Sequence, residues 1–151
     1  SYLPSDLNAA YLLGQLKIAD QIFDDRMASW ERYYSGLSDL KEQGLLELPV
    51  VPEGCGHNAH MFYIKARNLE ERTDIASFLK SRYIETAFHY IPLHTSPAGK
   101  RFGRFHGEDH YTTAESERLL RLPMYYQLSR NDIDYVVSTI HEYFRHKEEA
   151  Q

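Results

Sequence analysis

Eight histidines are the first chemistry-bearing residues in this chain, and several fall in pairs. His57 with His60, His89 with His94, and His106 with His110 have separations that metal sites use. No cysteine pair or carboxylate pattern accompanies them, and a spacing without a supporting second layer of ligands predicts no metal site. Cys55 stands between two glycines, and nothing in the sequence places a base beside it, so nothing marks it as a nucleophile. Gly-x-Ser-x-Gly, Walker and dinucleotide-binding patterns are absent. The carboxylate pairs Asp24/Asp25, Glu70/Glu71 and Glu148/Glu149 are sequence neighbours, which a helix points in different directions. No catalytic residue is therefore expected in this chain.

The stretch AGKRFGRFHG is richer. Gly99, Gly103 and Gly107 loosen it, Lys100, Arg101 and Arg104 make it basic, and Phe102 and Phe105 alternate with the charges. Guanidinium and ammonium groups beside a ring suit an anionic ligand such as a nucleotide diphosphate. A solvated loop balanced by Glu108 and Asp109 is the other reading of the same residues.

These residues need a scaffold, and the composition bounds it. A chain of 151 residues is one domain's worth of sequence. Its 42% hydrophobic and 26% charged content is globular, and its net charge of −5 argues against a general nucleic-acid binder. A single cysteine fits a reducing, cytoplasmic setting. No apolar run reaches the ~20 residues of a membrane span. The chain starts at Ser1, already in helix-initiating sequence, and reads as a piece of something longer. Twelve tyrosines suit contact surfaces that are half buried and half wet, or equally a well-filled core.

Ser5 and Asp6 open a helix, and Leu7, Tyr11, Gly14, Ile18 and Ile22 share one face of it. The period continues through Trp30, Tyr33, Tyr34, Leu37 and Leu40 until Gly36 and Gly44 weaken and end it. The segment from Ser5 to Gln43 would make ~58 Å of helix, against a diameter of ~40 Å for a compact domain of this size. It must bend, break, or project towards a partner surface. Residues 1–43 are accordingly expected to form a long interdomain helical segment, and 44–151 a small α/β domain.

Within that domain the pattern predicts a short apolar stretch at 45–51, a strand over His60–Ala66, and a helix capped by Asn68 and Glu71 with Ile75, Phe78 and Leu79 inward. A second strand is expected over Ile84–Ile91, stopped by Pro92. A helix opened by Thr112 and Glu115 should run to Leu122, and a final helix should start at Ser129 with Ile133, Val136, Val137, Ile140 and Phe144 buried. Residues 95–110 read as a long irregular loop, which in a compact domain tends to be functional or disordered. The sum is an α+β fold, a small antiparallel or mixed sheet with packed helices preceded by the long helix. The β-α-β run from His60 to Ile91 equally fits a free-standing ferredoxin-like binding or regulatory module.

Three stretches carry a family resemblance: SYLPSDLNAAYLLGQL, NAHMFYIK and FHYIPLHTSPAGKRFGRFHGEDHYTTAESERLLRLP. Together they resemble the C-terminal portion of sugar aminotransferases of the DegT/DnrJ/StrS type. The resemblance implies the small domain of a fold-type I, pyridoxal-phosphate-dependent homodimer acting on a dTDP-linked keto sugar with L-glutamate as amino donor. It implies that the Schiff-base lysine lies outside this chain, since none of Lys17, Lys41, Lys65, Lys80, Lys100 and Lys147 matches its position. It places Ser1 and Tyr2 near the cofactor phosphate of a neighbouring subunit. Many members have asparagine at Ser1 and arginine at Leu3, and the serine hydroxyl retains a donor. The HYIPLH segment should follow the substrate cleft, with His89, Tyr90 and His94, joined by Lys100 and Arg101, contacting the sugar nucleotide.

Overall fold

A computed structural model describes residues 3–149 of the chain. The opening helical segment breaks once. Helix α1 (Asp6–Leu16), whose first turn Ser5 caps by accepting from the Asn8 amide, stops where Ile18 leaves helical geometry. Helix α2 (Ala19–Glu42) then continues until Gly44 adopts the positive φ of 72° that closes a helix end. The two behave differently. α1 buries no residue, and Leu7 and Tyr11 are 80% and 73% exposed. α2 sends Tyr33, Leu37 and Leu40 into the core.

The rest follows as β1 (Phe62–Lys65), α3 (Leu69–Ser81), β2 (Ala87–Phe88), a 3-10 turn (Leu93–Thr95), α4 (Pro97–Phe102), α5 (Thr112–Arg118), β3 (Leu119–Leu122) and α6 (Arg130–Glu149). The strands form an antiparallel sheet in the order β1-β3-β2. Phe62 pairs with Leu122 and Ile64 with Leu120, and because side chains alternate along a strand these four point to one face. α2, α3 and α6 contribute Leu37, Ile75, Leu79, Ile133 and Ile140 to the same core. Fully burying each such side chain is worth about 1.5–3 kcal/mol. α2 and α6 approach closely at Gly36, whose missing side chain makes room for the Val137 methyls. The α+β architecture expected from the sequence is the one observed.

Three local expectations are corrected. The helix expected to reach Leu122 ends at Arg118, and Leu119–Leu122 becomes the central strand. Leu120 and Leu122 alternate into the core there, and pairing with two neighbours outweighs the helical propensity of LLRL. The strand expected over Ile84–Ile91 shrinks to Ala87–Phe88, because Tyr90 sits at a φ of 63° and no strand passes through that region. Inside the loop expected at 95–110, Ser96 caps a short helix by accepting from the Gly99 amide at 3.0 Å. Among the described residues no helix is long and apolar enough to cross a membrane. Of the tyrosines, Tyr33 and Tyr143 are core residues, whereas Tyr11, Tyr83, Tyr90, Tyr111, Tyr125 and Tyr135 are exposed.

Candidate functional site

The HYIPLH segment leaves the end of β2 and crosses in front of α5. Tyr90 holds its left-handed conformation because the Ser116 hydroxyl, on α5, donates to the Tyr90 carbonyl. Such a backbone is uncommon for a bulky residue, and its strain is sustained only by surrounding bonds. Pro92 then starts the 3-10 turn, where the Thr95 hydroxyl donates to the Pro92 carbonyl at 2.9 Å. α4 packs directly on that turn. A side chain at Gly99 would stand 1.7 Å from the Leu93 carbonyl oxygen, so only glycine permits the approach.

The chain after α4 turns back on its own beginning. The Phe105 ring lies 4.4 Å from the His94 ring, and Asp109 Oδ2 lies 2.9 Å from His94 Nε2. Asp109 also accepts the Thr113 hydroxyl at 2.5 Å and the Thr112 amide at 2.8 Å, satisfying the first amides of α5. These bonds, led by the Thr113 hydroxyl, outweigh burial and hold the Asp109 carboxyl below the usual carboxylate range, with the nearby His94 assisting.

Two cavities flank the crossing segment. One, of about 390 Å³, lies between α3 and α5 and is lined by Arg72, Phe88, Tyr90, Thr113 and Ser116 among others. The other, of about 340 Å³, is lined by His89, Tyr90, Leu93, Thr112 and Ser116. Arg72 is tethered by its Nε, which donates to the Glu117 carbonyl at 3.0 Å, and its guanidinium lies 5.5 Å from the centre of the Phe88 ring. A guanidinium anchored at one edge and held over a ring keeps its outer edge for an acceptor. Behind α5, Lys65 Nζ sits 2.5 Å from Glu115 and is raised above its ordinary range chiefly by that contact. Glu47 is lowered chiefly by Arg118.

The residues singled out from the sequence therefore separate. Tyr90 lines both cavities, and His89 lines the second, its ring 4.5 Å from that of Tyr90 and its buried Nδ1 without a hydrogen-bond partner among the described residues. His94 lines neither cavity, although its neighbours Thr95 and Leu93 line the first and the second. Lys100 and Arg101 line neither cavity; Arg101 lies 4.9 Å above the ring of Phe102. Ser1 and Tyr2 lie outside the described residues. Arg72, Ser116 and Asp109 escape the sequence reading, which treats Asp109 only as loop charge. Its place three residues before Thr112, at a helix start, is the capping signal that could have found it.

A covalently held aldehyde cofactor needs a lysine in the site, and the described residues do not fit one. Lys65 and Lys147 are committed to carboxylates, Lys41 donates to the Tyr34 hydroxyl at 3.0 Å, and Lys17, Lys80 and Lys100 are exposed away from both cavities. Among the described residues no three histidine, cysteine or carboxylate side chains converge as metal ligands.

Comparison with known proteins defines the class. Residues 3–141 match the DegT/DnrJ/EryC1/StrS aminotransferase family, and the chain belongs to it. It is 31% identical over 139 residues to dTDP-3-amino-3,4,6-trideoxy-alpha-D-glucose transaminase of Micromonospora megalomicea subsp. nigra, covering 91% of this chain and 36% of that protein. It is 30% identical over 108 residues to the pleiotropic regulatory protein of Geobacillus stearothermophilus, covering 71% of this chain and 29% of the relative. The chain thus spans about a third of these relatives. Among solved structures, DesV of S. venezuelae in complex with a ketimine intermediate superimposes with a TM-score of 0.75 at 31% identity, over 89% of this chain and 35% of DesV. A DegT/DnrJ/EryC1/StrS aminotransferase from Brucella abortus does so at 0.71 and 26% identity, over 89% and 34%. The fold is shared with these fold-type I aminotransferases, which disfavours a free-standing ferredoxin-like module.

Proposed function

We propose that this chain is the C-terminal part of a cytoplasmic, homodimeric, pyridoxal-phosphate-dependent aminotransferase that moves an amino group from L-glutamate to C4 of a dTDP-4-keto-6-deoxy sugar, giving a dTDP-4-amino-4,6-dideoxygalactose type of product. The observation that carries the reading is the family match over residues 3–141, by a chain about one third as long as a dTDP-amino-sugar transaminase it resembles. Residues 1–43 serve as the interdomain helical segment. In support, α1 carries Leu7, Tyr11, Leu12, Leu13 and Leu16 in the open, an apolar load that water disfavours and a larger domain would cover. His89, Tyr90 and His94 form this chain's share of the substrate cleft, and Lys100 and Arg101 face the phosphates from its outer edge. Ser1 and Tyr2 approach the cofactor phosphate of the adjoining subunit. The Schiff-base lysine comes from the other domain, which agrees with the places of the six lysines here, and the chain alone is inactive.

The test is spectroscopic. Mixed with pyridoxal phosphate, the 151-residue chain gives no aldimine absorbance beyond nonspecific lysine adducts. The same chain joined to an upstream domain gives it and aminates the dTDP-linked ketone. A joined protein that binds no cofactor defeats the proposal.

A further inference from the structure

We propose that Asp109 is a positioning residue for His94, holding the imidazole proton on Nε2 so that Nδ1 is presented to the sugar nucleotide as a hydrogen-bond acceptor; this rests on the substrate role assigned to His94 above. Fourteen residues of sequence lie between the two, yet Oδ2 of Asp109 lies 2.9 Å from Nε2 of His94. Neutral imidazole carries one proton, and a carboxylate beside one ring nitrogen draws the proton there and leaves the other nitrogen with its lone pair. The carboxylate is itself fixed. It accepts the Thr113 hydroxyl and the Thr112 and Thr113 amides, all on the first turn of α5. Phe105 sits against the imidazole and limits its rotation.

Nδ1 of His94 has no protein partner among the described residues. Both neighbours of His94 line the cavities, as do Thr112 and Thr113. One carboxylate therefore connects the 3-10 turn to the first turn of α5. A structural tie would need only some acceptor at position 109. A positioning role needs its negative charge, because an amide in the same place bonds to the threonines without favouring Nε2–H. Asp-to-Asn changes at histidine–carboxylate pairs elsewhere keep the geometry and present the wrong tautomer.

The experiment compares the unsubstituted protein with Asp109→Asn. In the 15N-labelled chain, long-range proton–nitrogen correlation of the imidazole should show His94 with a bare Nδ1 and a protonated Nε2. D109N should convert it to a mixture or to the Nδ1–H form, while exchange protection of the Thr112 and Thr113 amides reports that the loop is still folded. In the complete aminotransferase, D109N should raise KM for the dTDP-linked ketone about tenfold, as expected for one lost hydrogen bond to the ligand. kcat should move much less, and D109N added to His94→Ala should cost nothing more. A His94 that carries its proton on Nδ1 in the unsubstituted chain, or a tautomer indifferent to D109N, overturns the inference and leaves the substrate role of His94 standing. The expected tautomer with a KM untouched by His94→Ala overturns that substrate role and the inference with it.

Discussion

Lys147, near the end of α6, places its Nζ 2.8 Å from Oε1 of Glu71, a carboxylate on the first turn of α3 that is 3% exposed. Arg67 completes the cage, its backbone amide donating to Oε2 at 2.8 Å and its guanidinium to Oε1 at 2.7 Å. Burial by itself pushes a carboxyl's pKa up, but the bonds from Arg67 and Lys147 outweigh it and bring Glu71 down to about 2. A carboxyl lowered on folding stabilises the native state above its unfolded pKa, and that stability is lost as pH falls towards its folded value. The shift corresponds to about 3 kcal/mol, in full force near pH 6 and fading below roughly pH 4.5. Urea unfolding at pH 6 and pH 3 should therefore show a steep loss of stability, and Glu71→Gln should lower stability at pH 6 and flatten that dependence. An unchanged pH slope in E71Q would mean that other carboxylates carry the acid sensitivity.

Gly99 makes a second, local prediction. Gly99→Ala places a methyl into the Leu93 carbonyl, so α4 must leave the 3-10 turn. Amide exchange at Lys100 and Gly103, which donate to Ser96 and Gly99 at 2.9 Å each, should accelerate. Because α4 buries no residue, the overall unfolding free energy should change by less than about 0.5 kcal/mol.

The contact between α2 and α6 can be examined by a double substitution. A β-carbon at Gly36 would meet the Val137 methyls at 3.0 and 3.1 Å, and Val137 is itself packed against the core. Gly36→Ala should cost about 1 kcal/mol through this overpacking, despite alanine's better helix propensity. In a Val137→Ala background the clash is gone and the same substitution should stabilise by up to ~1 kcal/mol. Chemical denaturation of the four proteins reads the coupling directly.

Tyr83 follows the end of α3 at a φ of 61° with its side chain 98% exposed. The left-handed cap costs a residue with a β-carbon energy that glycine does not incur, and no packing is lost by removing a fully exposed ring. Tyr83→Gly should raise the thermal midpoint of the chain, by an amount equivalent to about 0.5–1 kcal/mol. A loss of stability would show that the exposed ring makes a contact in solution.

The sequence by itself determined the elements whose causes are short-range. Asn68 and Glu71 mark the start of α3, where the Asn68 side chain accepts from the Glu71 amide at 2.9 Å. The 3.6-residue period in α6 identifies Ile133, Val136, Ile140 and Phe144 as its inner face. The excessive length of the first helical segment already required it to bend, break or project, and the structure shows the break, at Ile18. The motifs around HYIPLH identified the family that the comparison then established. Tertiary structure decided the rest. Leu119–Leu122 is a strand because β1 and β2 lie on either side of it, a condition no local pattern contains. Arg72 reaches Phe88, and Asp109 reaches His94, only because helices and turns far apart in the chain are folded against one another. Caps and periodicities act within a turn or two of backbone, whereas a site assembled across loops depends on every packed element between its residues.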